Sequence, residues 1–146
     1  MSVFTREELL ASAARFSIQR DVRFQDVDAA GIVFFARFFD LFHDAYVAFL
    51  SARGAPLPDA LASRRWAAPL VHAEADFLVP ARFGDVVEVA LVLGRLEGSR
   101  LSIGYRMSRQ EMPCALGATV HVFVDPHSFR RVEPPPETAS VFAPLL

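Results

Sequence analysis

The 146-residue chain has a single cysteine, Cys114, which excludes an intramolecular disulfide framework and any multi-cysteine metal site. With no activating neighbour in the sequence, Cys114 reads as a small buried hydrophobe rather than a nucleophile. No stretch reaches the roughly 18 consecutive apolar residues of a membrane span, and the first residues lack a basic segment followed by an apolar run. A cytoplasmic protein with no membrane association is therefore expected. Positive charge is also in short supply: 15 Lys and Arg face 17 Asp and Glu, and the pI is near 6.1. That balance argues against nucleic acid as a partner, since phosphate binding needs a basic surface. His121 and His127 have no partner at metal-ligand spacing, nothing else forms a His/Cys/carboxylate cluster, and no metal is expected. There is no internal repeat and no linker, so residues 1–146 read as one domain.

What the chain does have is phenylalanine, 14 residues against two Tyr and one Trp. They concentrate in the segment from Asp26 to Leu50, DVDAAGIVFFARFFDLFHDAYVAFL. Laid out at helical periodicity, its apolar residues from Phe34 to Leu50 share an arc of roughly 200°. So wide an arc predicts a long central helix covered on most sides, with an apolar interior large enough for a ligand. Gly54 supplies the stop signal after Arg53.

Around this segment the periodicity is mostly two. Phe16, Ile18, Val22 and Phe24 alternate with polar residues and predict a first, half-buried strand. Four more strands follow the helix. Their inward faces are Val71 to Val79, Val87 to Leu93, Leu101 to Met107, and Cys114 with Leu116, Ala118, Val120, Val122 and Val124. Gly117 marks a bulge or a close approach. Thr5 followed by Glu8 has capping-box spacing and predicts a short helix within a 1–15 extension, residues 55 to 65 read as a loop with a helical turn, and residues 133–146 read as an irregular tail. One helix, then sequential strands, gives an α+β fold in which an antiparallel sheet of about five strands wraps the central helix. Such a sheet has two edges, and pairing one with a second copy predicts a homodimer.

The aspartates at the head of the segment have two readings. Asp26 and Asp28 can form an Asx turn that caps the helix. They can also present a carboxylate beside Gly31, which lets backbone approach a ligand, and beside the first N–H groups of a helix, which have no intrahelical partners. A carboxylate, N–H donors and a water-poor aromatic wall suit attack on an electrophilic carbonyl such as a thioester.

The stretch VRFQDVDAAGIVFFARFFDLFHDAY resembles the signature of hotdog-fold thioesterases of the 4-hydroxybenzoyl-CoA thioesterase class. In that class a strand ends in Phe-x-Asp-x-Asp, followed by Ala-Gly-(Ile/Val)-Val and the central helix. The resemblance covers roughly residues 16 to 132. The Asp-Ala-Ala-Gly turn, the His-Asp-Ala-Tyr on the helix and the Pro-Leu-Val-His run look most like the 1,4-dihydroxy-2-naphthoyl-CoA thioesterase branch. The resemblance implies an acyl-CoA thioesterase for an aromatic acyl group, with coenzyme A as part of the substrate and no other cofactor. The catalytic carboxylate would be Asp28, with Asp26 structural and Asp44 a fallback on the helix. The oxyanion donor would be the backbone N–H of Phe35; other branches carry His or Tyr there, so their side-chain contribution is absent. Gly31, Phe39, His43 and His72 would contact substrate, and Ser99 and Arg100 would meet the coenzyme A phosphates, with Arg130 and Arg131 as further candidates. Active sites would lie between subunits of a homodimer or homotetramer. Three alternatives stand: a carrier-protein thioesterase of the same fold, a non-catalytic acyl-CoA-binding protein, and a hydratase, for which the Asp-x-x-x-x-His constellation is missing.

Overall fold

The computed structural model describes residues 2–146. The chain begins with helix α1, Arg6–Ala11, whose first turn is closed by a complete capping box between Thr5 and Glu8. Strand β1, Phe16–Asp21, leads into a 3₁₀ turn at Phe24–Asp26. Helix α2, Arg37–Ala52, is followed by α3, Leu57–Ser63. Strands β2, Leu70–Phe77; β3, Val86–Glu97; β4, Arg100–Arg109; and β5, Met112–Val122, complete one five-stranded sheet in the order β1-β3-β4-β5-β2. All its pairings are antiparallel. Among the described residues no helix is long and apolar enough to cross a membrane.

Helix α2 is shorter than the apolar segment that announces it. Phe34 and Phe35 precede it and are exposed. Within it the buried residues are Phe38, Leu41, Phe42, Ala45, Tyr46, Phe49 and Leu50, an ordinary stripe at i, i+3, i+4 spacing rather than a 200° arc. That stripe lies on the sheet. The Phe42 ring stacks on Tyr105 of β4 with centroids 5.1 Å apart. It also sits over Gly117 of β5, where an added Cβ would fall 2.3 Å from the ring, so the close approach expected at Gly117 is realised.

Both faces of the sheet are covered, which reassigns part of the strand pattern. Val87, Val89, Leu91, Leu101, Ile103, Tyr105 and Met107 join the core under α2. Ala90, Val92, Leu116 and Ala118 instead pack with Phe4 and Leu9 at and around α1 on the opposite face. In β5 the expected inward face of Leu116 and Ala118 therefore belongs to the α1 side, and Gly117 is the residue under α2. Leu93 changes sides because an irregularity between Leu91 and Leu93 shifts the register of β3 against β4. The first strand ends at Asp21, which leaves Phe24 outside the sheet and 77% exposed.

The tail is not irregular. Pro136–Phe142 forms α4 and Ala143–Leu145 a 3₁₀ turn. Thr138, Val141, Phe142 and Leu145 are buried at i, i+3, i+4, i+7 spacing. Phe142 packs against Phe49, Trp66 and Phe123. Strand β2 is an edge, and its expected inward residues Val71 and Phe77 are 56% and 51% exposed in the single chain.

Candidate active site

The residues that position the site are those between β1 and α2. Asp26 is buried and its carboxylate accepts from the backbone N–H of Arg23 at 2.9 Å and from Arg23 Nε at 3.4 Å. Its own carbonyl accepts from the Phe34 N–H at 2.9 Å. Asp26 thus ties the end of β1 to the start of the helical segment, the structural role expected of it. Two residues on, the Asp28 carbonyl accepts from Gly31 N, which closes a turn through Ala29 and Ala30, and Asp28 Oδ1 accepts from Ala30 N at 2.8 Å. Gly31 sits at φ +76°, a conformation side chains other than glycine rarely adopt. The segment after the turn is clamped to the β2–β3 connection, where Val33 N donates to Ala81 O and Phe83 N to Gly31 O.

This clamp creates a cavity of about 400 Å³ beside Asp28. Phe35 and Phe38 form one wall, and Phe77, Val79 and Ala81 the other. Its lining is mainly apolar, and the exposed Asp28 is the charged residue on it. Among the described residues the Phe35 N–H has no hydrogen-bond partner, because the helical pattern begins with the Arg37 N–H donating to Phe34 O. Phe35 lies just ahead of the N-cap Ala36, at the positive end of α2. An aspartate and a residue with an unengaged amide, both lining one apolar cavity, are the residue types that attack on a carbonyl and stabilisation of its oxyanion require.

Of the residues singled out by sequence, Asp28 and Phe35 line this cavity and Gly31 shapes the turn that carries Asp28. Phe39 does not line it; half-buried, it packs edge-on against Phe42. His43 is exposed and borders a second cavity beside Tyr46 and Trp66. His72 is exposed on β2 with Nε2 3.0 Å from Glu74 Oε2. Ser99 and Arg100 stand where β3 turns into β4. Arg100 stands seven positions along β4 from Met107, which pairs with Ala115 next to the Phe77 end of β2. That places Arg100 about 23 Å along the sheet from the cavity in the same chain. Asp44 pairs with Arg20 at 3.6 Å, away from the cavity. Arg130 and Arg131 are exposed.

Sequence reading missed Phe38 and the wall from Phe77 to Ala81. Phe38 was one aromatic among many, and the wall becomes visible only once the β2–β3 connection is seen to pair with residues 31–33. It also missed His121. This side chain is buried, stacks on Tyr46 with centroids 4.9 Å apart, and places Nδ1 3.1 Å from Ala68 O and Nε2 3.2 Å from Thr119 Oγ1. Thr119 in turn meets the Tyr105 hydroxyl at 3.1 Å. Burial pushes the His121 pKa down, which fits a neutral ring in the arrangement Tyr105 O–H to Thr119, Thr119 O–H to Nε2, and Nδ1–H to Ala68 O. Cys114 is buried, its pKa raised by burial, as a structural thiol requires. Among the described residues no group of three His, Cys, Asp or Glu is placed to hold a metal ion.

Residues 22–142 match the model of the Thioesterase-like superfamily. A 1,4-dihydroxy-2-naphthoyl-CoA hydrolase of Synechococcus elongatus is 36% identical over 125 residues, 85% of this chain and 91% of that protein. Its counterpart from Nostoc punctiforme is 37% identical over 122 residues, 84% of this chain and 82% of that protein. A crystal structure of a 1,4-dihydroxy-2-naphthoyl-CoA thioesterase from Synechocystis superposes with a TM-score of 0.79 at 31% identity, covering 86% of this chain and 94% of that one.

Proposed function

Because the chain belongs to the Thioesterase-like superfamily, we propose that it hydrolyses an acyl-CoA thioester with a hydroxylated aromatic acyl group, such as 1,4-dihydroxy-2-naphthoyl-CoA. The observation that supports this reading is the cavity at the head of α2, lined by both Asp28 and Phe35, whose N–H has no hydrogen-bond partner among the described residues. Asp28, as nucleophile or as base for a water, brings oxygen to the thioester carbonyl carbon. The carbonyl oxygen becomes an oxyanion and accepts from the Phe35 N–H, whose dipole is fixed before the reaction starts. Collapse breaks the C–S bond, and coenzyme A leaves as a thiolate that takes up a proton. On the nucleophilic route water then cleaves the acyl-aspartyl anhydride and restores Asp28. Phenylalanine at position 35 costs nothing in this step, since the donor is main chain.

The reading extends to assembly. The domain is a hotdog fold in residues 1–146, its sheet curled around α2, and it works in the cytoplasm as a homodimer or a pair of dimers. The exposed edge of β2, with Val71 and Phe77 uncovered, is the surface a second copy would pair with. Antiparallel pairing of two β2 edges sets the Leu70 end of one copy beside the Phe77 end of the other. Ser99 and Arg100, far from Asp28 within one chain, then approach the Asp28 cavity of the second, where guanidinium and hydroxyl donors suit coenzyme A phosphates. The test is a panel of aromatic and aliphatic acyl-CoAs beside the matching carrier-protein thioesters, with free thiol as readout. Turnover of carrier thioesters alone would replace coenzyme A in this reading, and turnover of none would remove it.

A further inference from the structure

Asp85, just ahead of β3, and Arg109, the last residue of β4, form an ion pair, with Arg109 Nη1 3.0 Å from Asp85 Oδ2. The same oxygen accepts from the backbone N–H of Arg82 at 2.8 Å. Main-chain bonds close the turn from Arg82 to Asp85 and tie it to Val22, just past β1: Asp85 N donates to Arg82 O, Val22 N to Asp85 O, and Gly84 N to Val22 O. Both charged side chains are partly shielded from solvent. The Arg82 N–H, followed by Arg109, holds the Asp85 carboxyl below the usual carboxylate range, so it stays charged. Among the described residues neither side chain lines the Asp28 cavity.

The turn is nevertheless bonded directly to the segment that carries Asp28. Arg82 faces Ile32 in an isolated bridge, and its two neighbours form the clamp: Ala81 O accepts from Val33 N at 2.8 Å, and Phe83 N donates to Gly31 O at 3.2 Å. Gly31 and Ile32 in turn hold Asp28, Gly31 N donating to Asp28 O and Asp28 N to Ile32 O, each at 3.0 Å. An unbroken run of main-chain hydrogen bonds thus leads from the turn that Asp85 closes to the backbone of Asp28. We infer that Asp85, held in place by Arg109, is a positioning residue: it fixes the Arg82 turn and, through that turn, the place of Asp28 at the cavity. The charge matters because a hydrogen bond to a carboxylate is roughly twice as strong as one to a neutral acceptor, and Arg109 keeps that carboxylate on the Arg82 N–H. The consequence for rate is large, since displacing a reacting group by about 1 Å costs about 10²-fold. The hold on the turn stands on these bonds alone, whereas its effect on turnover rests on the proposed function.

The experiment has a kinetic arm and a mechanical one, both on the full-length protein. Free-thiol release from 1-hydroxy-2-naphthoyl-CoA is measured well below every melting transition, in wild type, Asp85→Ala, Asp85→Asn, Asp28→Asn, the double variant Asp28→Asn/Asp85→Ala, and Phe142→Ala, which loosens the core without touching this turn. Asp85→Ala should lower kcat about 10–100-fold with KM within about twofold, and Asp85→Asn, which keeps an acceptor for the Arg82 N–H, should lose less. Phe142→Ala should keep the wild-type kcat. In the Asp28→Asn background Asp85→Ala should cost nothing further, because the residue it positions has already lost its function. Amide exchange at Gly31, Val33 and Phe83, with β5 amides as reference, should be about tenfold faster or more in Asp85→Ala, as the loss of a hydrogen bond to a charged group predicts. A wild-type kcat in Asp85→Ala, a loss that recurs in full on top of Asp28→Asn, or unchanged exchange at the three amides overturns the inference. Should Asp85→Ala fail to fold, a wild-type kcat in the milder Asp85→Asn overturns it equally. No turnover by wild type removes the hydrolytic reading instead, and the exchange rates then decide by themselves whether Asp85 holds the turn.

Discussion

Asp26 and Asp28 are two residues apart and of the same type, so exchanging each for asparagine separates structure from chemistry with the smallest change available. At position 26 the substitution keeps an acceptor for the Arg23 N–H and Nε but removes its charge. A hydrogen bond to a charged group contributes about 1.5–3 kcal/mol and a neutral one about 0.5–1.5, so the expected loss is about 1–1.5 kcal/mol. For a chain of this size that is a drop in melting temperature of about 3–5 °C. The Phe34 N–H to Asp26 carbonyl bond is main chain and survives, so kcat/KM should fall by no more than about fivefold. At position 28 asparagine preserves the side-chain oxygen that accepts from Ala30 N, and melting should stay within about 1 °C of wild type. Hydrolysis should fall about 10²–10⁴-fold, because an amide is neither nucleophile nor base. The assays are thermal melts and steady-state release of free thiol on the same samples. Wild-type-like turnover by Asp28→Asn, or an Asp26→Asn variant that loses activity without losing stability, would refute the assignment of roles.

Gly117→Ala should destabilise the protein by about 1–3 kcal/mol, since its Cβ would meet the buried Phe42 ring at 2.3 Å and one of them must move; denaturant midpoints check this. Phe142→Ala should cost about 3–5 kcal/mol in the same measurement, as it empties the contact with Phe49, Trp66 and Phe123, whereas a truly irregular tail would tolerate it. The pKa of His121 is depressed by burial, so the unfolded chain binds a proton that the folded chain refuses. Its contribution to stability is present above the ordinary histidine pKa of about 6.5 and is lost as pH falls below it toward the folded value, and His121→Gln should flatten unfolding free energies measured between pH 7.5 and 5.5. Light scattering should return at least twice the 16.2 kDa chain mass, and a monomer would leave the β2 edge without its partner.

Much of the fold and one half of the site were legible in residue order. The Thr5–Glu8 cap, the alternation of β4, the end of α2 near Gly54 and the turn built by Asp26 and Asp28 are local matters, set by side-chain chemistry within a few residues. The tail read as irregular because of the three prolines at its head, although Thr138, Val141, Phe142 and Leu145 recur at the helical spacing of a buried face. A period of two states that a strand has two faces, but not which layer will cover each. Leu116 and Ala118 therefore fell on the α1 side, and a register shift in β3 carried Leu93 with them.

The sequence by itself determined the chemistry that is available: a carboxylate, a glycine turn and a helix start in that order, within a dozen residues. Only the tertiary structure decided which surfaces meet. It closed the Asp28 cavity with Phe77, Val79 and Ala81, forty or more residues away. It sent His43 to a different cavity, beside the buried Tyr46. The reason is one of range. Capping, turn formation and strand alternation act between neighbours along the chain, whereas a cavity is what remains between elements after each has buried the most apolar surface it can.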